Sequence, residues 1–469
     1  MTPVTAEGGC GGPGECSCGH GGPPGEAVSD GGTEAFQPAD FGRLQGHELA
    51  DDLGTDTDHC IRCGFCTNAC PVFAETKWES VSPRGHANVI KAYLDGDLED
   101  PEQIEENLDL CIKCKQCIAP CPAGVEIPKL VIRANERLNE EEGTALGDRL
   151  FADPRRLNAL GSLAAPVSNL LSKLGPVRSV MESVLGIDAR RPLPTFHRET
   201  FEDWYAAHDP APAVGDLDRD VAVYVDCYVN YNAPTIGKAA VTVLERAGAD
   251  VSLADPGCCG RAALSKGFVA EAEANADAAL PPLADLVAAG RDVVCVEPSC
   301  AAMLKDEFRD LFDDPRATQV ADNAYELMEY LDHVLAEEPE ALPVGPLDEH
   351  VAVHSHCHTK HLGIDGAAAS VLERIPDLTV DEPYVPCCGM AGSFGYQSEY
   401  YDLSMDIGEN LFGQIRDSGG DPVATGFSCR SQIKDGMDEP AEHPVQVLER
   451  ATRRVRTTDA RRAVAPADD

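Results

Sequence analysis

Lysine is the scarcest charged residue, 11 of 469, and Lys and Arg together number 38 against 80 Asp and Glu, for a formal net charge of −42. A field of that sign repels phosphate backbones, so nucleic acid is excluded as a partner. The acids run along the whole chain. With so few lysines they suit a halophilic protein, kept soluble in a salty cytoplasm where short screening lengths mute self-repulsion. No run of 18 or more uncharged apolar residues occurs, so no transmembrane helix is expected. The opening "MTPVTAEGGCGGPGECSCGHGG" lacks a basic start, an apolar h-region and a twin arginine, which makes a cytoplasmic location the expectation. A dinucleotide fingerprint is also missing. "GCGGPG" at 9–14 matches G-x-G-x-x-G, but no strand pattern precedes it and no helix pattern follows. No nucleophile–base–acid set stands out. Hydride chemistry on an organic substrate is therefore expected on a different chain.

What the sequence does have is cysteine, 20 residues in all. In "HCIRCGFCTNACP", 59–71, Cys60, Cys63, Cys66 and Cys70 precede Pro71; 51 residues on, Cys111, Cys114, Cys117 and Cys121 precede Pro122. Both runs read C-x2-C-x2-C-x3-C-P. Three thiolates at two-residue gaps wrap a loop around one face of a cubane, and the fourth is carried away to ligate the neighbouring cluster. The spacing thus assigns Cys60, Cys63, Cys66 and Cys121 to one [4Fe–4S] cluster, and Cys111, Cys114, Cys117 and Cys70 to a second. Zinc is the competing metal, but structural zinc sites use two separated C-x2-C pairs and leave the fourth cysteine without a role. The 40 residues between the runs read as helices with apolar residues three and four apart.

The second half is a duplication. Cys227, Cys258, Cys259 and Cys300 recur as Cys357, Cys387, Cys388 and Cys429, at offsets of 130, 129, 129 and 129 residues. "VAVYVDC" and "VAVHSHC" read as strands ending in the first cysteine of each set; helical stretches follow, then "DVVCVEPSC" and "DPVATGFSC" as further strands. Strand, helix and strand at this spacing imply an α/β unit with at least partly parallel pairing, whose strand ends gather residues in one crevice. Neighbouring Cα atoms sit too close for a relaxed disulfide, so each Cys-Cys-Gly fits a cluster or redox thiols better than a bridge, with Gly260 and Gly389 giving close backbone approach or a positive φ. Structural or redox thiols that bind no iron are the competing account. Cys295, in an apolar strand, reads as a buried small residue. "HSHCHTKH" invites a metal reading, since strand alternation would put His354, His356 and His358 on one face, with a polar rim around Cys357 as the simpler account.

The fold class read from these patterns is α+β multidomain: an α-helical ferredoxin-like two-cluster domain followed by two duplicated α/β domains. Expected segments are a Gly-rich acidic tail at 1–50, the two-cluster domain at 51–145, a linker with amphipathic helices at 146–217, repeats at 218–340 and 348–452, and a tail at 453–469. Cys10, Cys16, Cys18 and His20 of the first tail invite a metal reading, with a floppy segment as the simpler account. Within the linker, 159–187 carries only Lys173, Arg178 and Glu182 as charges, which suits either helices packed on a neighbouring domain or an amphipathic surface for a membrane or membrane-bound partner.

The pattern C-x30-CC-x40-C followed by C-x29-CC-x40-C, over about 55–450, resembles the cysteine-rich CCG domain of heterodisulfide reductase and of the iron–sulfur subunits of glycerol-3-phosphate, lactate and glycolate dehydrogenases. "DCYVNYNAPTIGKA", "CCGMAGSFGYQSEYYDLSMDIG" and "EHPVQVLERA" are similar to the glycerol-3-phosphate type, whereas "EPSC", "RPLPTFHRETFEDW" and "GFSCRSQI" are closer to the 2-hydroxy-acid type. The resemblance implies that Cys227, Cys258, Cys259 and Cys300 serve one noncubane cluster site and Cys357, Cys387, Cys388 and Cys429 another. It implies an oxidoreductase subunit that takes electrons from an FAD-containing dehydrogenase subunit and passes them to quinone or another membrane acceptor, peripheral to the inner face of the membrane. The alternative it carries is a catalyst reducing a disulfide at a CCG cluster.

Overall fold

A computed structural model describes residues 57–455. The expectations placed on 1–50, including Cys10, Cys16, Cys18 and His20, and on most of the C-terminal tail lie outside the described residues.

The first cysteine runs are loops pinned between short helices. Pro71–Thr76, Pro83–Leu94, Pro101–Asp109 and Ile127–Glu142 each carry proline at the start, where its missing N–H costs nothing. Their inward faces bury Ile90, Ile104, Leu108, Leu130, Val131 and Leu138 around Cys66 and Cys117. The 40-residue gap is thus helical, as its periodicity predicts.

Each repeat is a small parallel sheet. In the first, β1 (Asp220–Tyr224), β2 (Asp250–Ala254), β3 (Asp292–Cys295) and β4 (Ala324–Glu326) run in the order β2-β1-β3-β4; in the second, β5 (Glu349–His354), β6 (Leu378–Asp381) and β7 (Asp421–Ala424) run β6-β5-β7. Every pairing is parallel. The central strands read Val-Ala-Val because both faces are covered. Strand order reverses beside β1 and β5, which opens the crevice at their carboxyl ends.

The expected strands overshoot. β1 stops at Tyr224 and β5 at His354, and Cys227 and Cys357 are instead the first residues of helices, Cys227–Tyr231 and Cys357–Leu362. The cause is a side-chain cap: Asp226 accepts from the backbone N–H groups of Tyr228 and Val229, and His356 Nδ1 accepts from that of His358. Strand alternation therefore does not govern His354, His356 and His358, and that part of the sequence reading is corrected. β4 has no strand counterpart in the second repeat, where a single parallel bridge, Val423 to Glu442, takes its place.

The repeats share one core. The last helix of the first, Leu327–Glu337, packs on Ala367–Leu372 of the second, and the last helix of the second, Pro444–Arg453, packs on Pro234–Ala247 of the first. Leu331, Val334, Val371, Leu372, Leu244 and Leu448 meet in that reciprocal interface. No helix among the described residues is long and apolar enough to cross a membrane.

The glycine after each cysteine pair is used as the motif predicts. Gly260 and Gly389 have φ of +89° and +87°, and a Cβ on Gly389 would stand 2.4 Å from the Ser404 carbonyl oxygen in the long helix Tyr401–Ser418. Gly389→Ala is expected to cost about 2–5 kcal/mol, the sum of left-handed strain and overpacking. Gly363→Ala, at φ +72° with nothing within 4 Å, should cost only the strain. Thermal midpoints of the two anaerobic holoproteins check the difference.

Glu326 caps Leu327–Glu337 from a buried site, where desolvation, outweighing the N–H groups of Glu329 and Met328 that it accepts from, pushes its carboxyl up to about 8. Below the ordinary carboxylate range both the folded and unfolded chain hold this proton. As pH rises to about 8 only the unfolded chain releases it, so the native state loses stability across that window. Glu326→Gln is expected to remove this slope, gaining on the wild type steadily between pH 5 and 8 in thermal midpoint. A constant difference across that range overturns the assignment.

Candidate metal centres

All 17 described cysteines are free thiols, and all but Cys295 lie in four groups. Cys70, Cys111, Cys114 and Cys117 line one cavity together with Ile112, closed by Pro83 and Ile127. Cys66 lies close enough to Cys121 and Cys60 for their charges to raise its thiol further, after burial, the main cause. The fourth cysteine of each run thus neighbours the other run. Cys63 is exposed at the rim.

The two loops share an unusual backbone. Arg62 and Gly64 in one, and Lys113 and Lys115 in the other, sit at φ of 55°, 83°, 50° and 64°. These are the positions on either side of the second cysteine in each run. Alternating hands there turn successive N–H groups inward, a concavity suited to an anionic group. Three of the four are not glycine, so the loops hold strain of about 1–2 kcal/mol at each. The fourth cysteines are tied in too: Cys70 Sγ accepts from Phe73 N at 3.5 Å and Cys121 Sγ from Val125 N at 3.4 Å.

Lys115 supplies a buried anchor. Its Nζ stands 2.5 Å from Asp306 Oδ2 and 2.7 Å from Glu307 Oε1, on the π-helical turn Met303–Glu307 of the first repeat. Arg261 also binds Glu307, and its Nη2 lies 3.2 Å from His358 Nε2, while His361 Nε2 reaches Asp306 at 3.0 Å. Burial alone would raise the Asp306 carboxyl, but His361 and Lys115 together hold it far below the ordinary range. No sequence pattern marks this network, which joins the ferredoxin-like loop to both repeats.

The repeat cysteines converge as two sets, all buried except the half-buried Cys258. Cys259 Sγ is 3.3 Å from Cys300 Sγ, and Cys258 takes hydrogen bonds from Cys227 and Cys259, which hold its thiol far below its usual value. Cys387 is held low in the same way by Cys357 and Cys388. Their partners Cys227, Cys259, Cys357 and Cys388 are pushed well up, first by those same thiol contacts and then by burial. In each set the thiol contacts run from the first cysteine through the adjacent pair to the last, a close-packed donor set that wants a cation, and soft thiolate suits iron–sulfur groups. Cys295 is fully buried at the end of β3, where β7 of the second repeat has Ala424, so it packs as a small residue.

The sets are contiguous. Cys114 shares one buried cluster with Cys357 and Cys387, and Gln116 Nε2 donates to the carbonyl oxygens of both Cys114 and Cys357, at 3.2 and 2.9 Å. Tyr228, next to Cys227, stacks on Phe427, two residues before Cys429, with ring centroids 4.1 Å apart. Of the histidines singled out, His354 reaches the Cys388 and Cys429 sulfurs. His356 caps a helix and His358 joins the Arg261 network.

Comparison with known proteins agrees with this architecture. Residues 56–125 match a 4Fe-4S dicluster domain, and 221–305 and 351–434 each match a cysteine-rich domain. One subunit of the anaerobic glycerol-3-phosphate dehydrogenase of Escherichia coli K12 is 31% identical over 404 residues, covering 85% of this chain and 99% of that one. The glycolate oxidase iron–sulfur subunit of the same organism is 28% identical over 407 residues, 84% and 93% of the two chains. Lactate utilization protein A of Bacillus cytotoxicus is 33% identical over 183 residues, 37% of this chain and 73% of its own. With its dicluster loops and paired cysteine-rich repeats in one fold, the chain belongs to the family of iron–sulfur subunits of dehydrogenases and is an electron-transferring oxidoreductase subunit.

Proposed function

We propose that this subunit takes electrons from an FAD-containing dehydrogenase partner acting on a small hydroxylated substrate (glycerol 3-phosphate, glycolate or lactate) and delivers them to quinone or another membrane acceptor. The observation that carries it is the unbroken succession of thiol sets, from Cys60, Cys63, Cys66 and Cys121, through Cys70, Cys111, Cys114 and Cys117, to Cys357 and Cys387 and on by the Tyr228–Phe427 stack. In this reading the first two sets hold one [4Fe–4S] cluster each, and each repeat set holds a further noncubane cluster. When bound, such groups supply one-electron storage at potentials set by their surroundings.

The chain's own residues do the rest. Ile112, Val72 and Ile407 keep water from the junction between the second loop and the second repeat. Gln116 fixes the distance between them. Lys115, with Lys113 two residues before it, places positive charge beside the thiolates of this loop.

A membrane acceptor is favoured by the linker. Gly175–Leu185 turns Met181 and Leu185 onto the second repeat, which is the packed role. Along Pro154–Leu163, Ala165–Leu171 and Gly175–Leu185, however, Leu160, Leu163, Val167, Leu170, Val180 and Val184 are between 58% and 82% exposed. So much exposed apolar surface, concentrated in one segment of a strongly acidic chain, suits a bilayer interface. The interface would be of low charge, since a chain of net charge −42 is repelled by anionic lipid.

Three measurements test this reading. Anaerobically purified full-length chain should carry iron and sulfide in equal amounts, about eight of each for two cubanes and about sixteen if both repeats are filled. With its flavoprotein and one of the three substrates, the visible iron–sulfur absorbance should bleach. A flavoprotein reduced by its substrate beside clusters that stay oxidised overturns the relay. Leu163→Glu combined with Leu170→Glu should abolish sedimentation with phosphatidylcholine vesicles while leaving iron content unchanged, and undiminished sedimentation overturns the membrane face.

A further inference from the structure

The two cysteine-rich repeats are not chemically equivalent. β1 ends in Tyr224 and β5 ends in His354, each three residues before the first cysteine of its set. Tyr224 spends its hydroxyl on the Gly257 carbonyl oxygen, 3.0 Å away. His354 has no such outlet. It is fully buried, and neither Nδ1 nor Nε2 has a hydrogen-bond partner. Every other buried histidine among the described residues has at least one: His86 with the Asn107 carbonyl, His356 with His358 N, His358 with Arg261 and His443 with Val445 N. A neutral imidazole always presents one N–H and one lone pair, so a ring sealed from water with both unmet is an outlier that calls for a ligand.

What stands near the ring decides which ligand. A ring nitrogen of His354, Cys388 Sγ and Cys429 Sγ all lie within 4.8 Å of one another. Two donors on one tetrahedral metal stand about 3.5–4 Å apart, so a slight contraction brings all three onto a common ion. Cys387 and Cys357 continue the same set.

We propose that His354 is a nitrogen ligand to the iron–sulfur group of the second repeat, making that site a mixed histidine–thiolate centre while the first repeat's site is all-thiolate. This rests on reading the repeat cysteines as cluster ligands. A neutral imidazole adds a donor without adding negative charge, so a thiolate put in its place would lower the reduction potential of the centre.

The test uses full-length chain, purified anaerobically, enriched in iron-57 and carrying nitrogen-15 histidine. Mössbauer spectra should contain one iron site of the repeat clusters with a larger isomer shift than the thiolate-bound irons. The reduced protein should give a directly bonded nitrogen coupling in pulsed electron paramagnetic resonance that changes with the isotope. His354→Tyr, which copies the first repeat, should lose both signals, and His354→Cys should keep its iron and lower the potential of that centre. If His354→Tyr does not fold, the cysteine variant alone decides. Iron beyond that of two cubanes, with no nitrogen signature and an unmoved potential in His354→Cys, overturns the histidine ligand and leaves the cluster reading intact. Iron no higher than two cubanes, or zinc at the second repeat, overturns both.

Discussion

Sulfur crowded against sulfur is the condition to which the rest of this fold answers. Sixteen cysteines are gathered into four groups, most of them buried, and removing water from a thiolate raises the cost of its charge. Burial pushes Cys70 up to about 12, and Cys114 and Cys117 are driven well up, by burial first and by nearby thiols second. Such groups cannot all ionise unless a cation binds among them. Holding them together therefore demands a scaffold that supplies the energy elsewhere: the helical core around Ile90, Leu130 and Val131 for the loops, and the shared core of the two sheets for the repeats.

The scaffold achieves this twice by the same local device. A parallel strand ends three residues early, a polar side chain caps the next helix, and the first cysteine is delivered at that helix's first residue. Asp226 and His356 play the same part in the two repeats, although one is acidic and one is an imidazole. The capping function is kept while the charge beside the sulfur set changes. Burial and the nearby Glu297 push the Asp226 carboxyl up to about 7, whereas burial lowers His356. Two copies of one fold thus surround their thiols with different electrostatics. That difference is what a relay needs if its stations are to have different potentials.

Much of this is legible in the sequence because it is carried by spacing. The C-x2-C-x2-C-x3-C-P runs predict an exchange of the fourth cysteine, and Cys70 does neighbour Cys111 while Cys121 neighbours Cys66. The offset of 129–130 residues predicts two like domains, and Gly260 and Gly389 carry the backbone the motif requires. The illegible parts are those that depend on partners far along the chain. Strand ends escape pattern reading because neither "VDC" nor "SHC" holds a glycine or proline to break the strand, while the caps that stop it act through one or two side-chain hydrogen bonds. The reciprocal helices Leu327–Glu337 and Pro444–Arg453 look like ordinary amphipathic segments, and nothing in periodicity says which sheet they cover. In the sequence His354 is one histidine of a row. Only its sealed, unpartnered ring separates it from His356 and His358.

The Lys115 network carries the same lesson about where stability and function meet. A lysine at φ 64°, almost wholly buried, breaks two local preferences at once. Each violation is answered by side chains of the repeats: Asp306 and Glu307 neutralise its charge, and Arg261, His358 and His361 complete their partners. A buried pair of this kind adds little net stability over an apolar packing, but it tolerates few alternative arrangements, because displacing one member strands the others without water. Its contribution is registration. The π-helical turn at Met303–Glu307 sets two acids side by side, and the lysine that reads them lies in sequence between Cys114 and Cys117. The distance between the ferredoxin-like loop and the repeats is thereby fixed by charge rather than by apolar contact alone, and a short, unvarying distance between donor and acceptor is the requirement that electron transfer places on a fold.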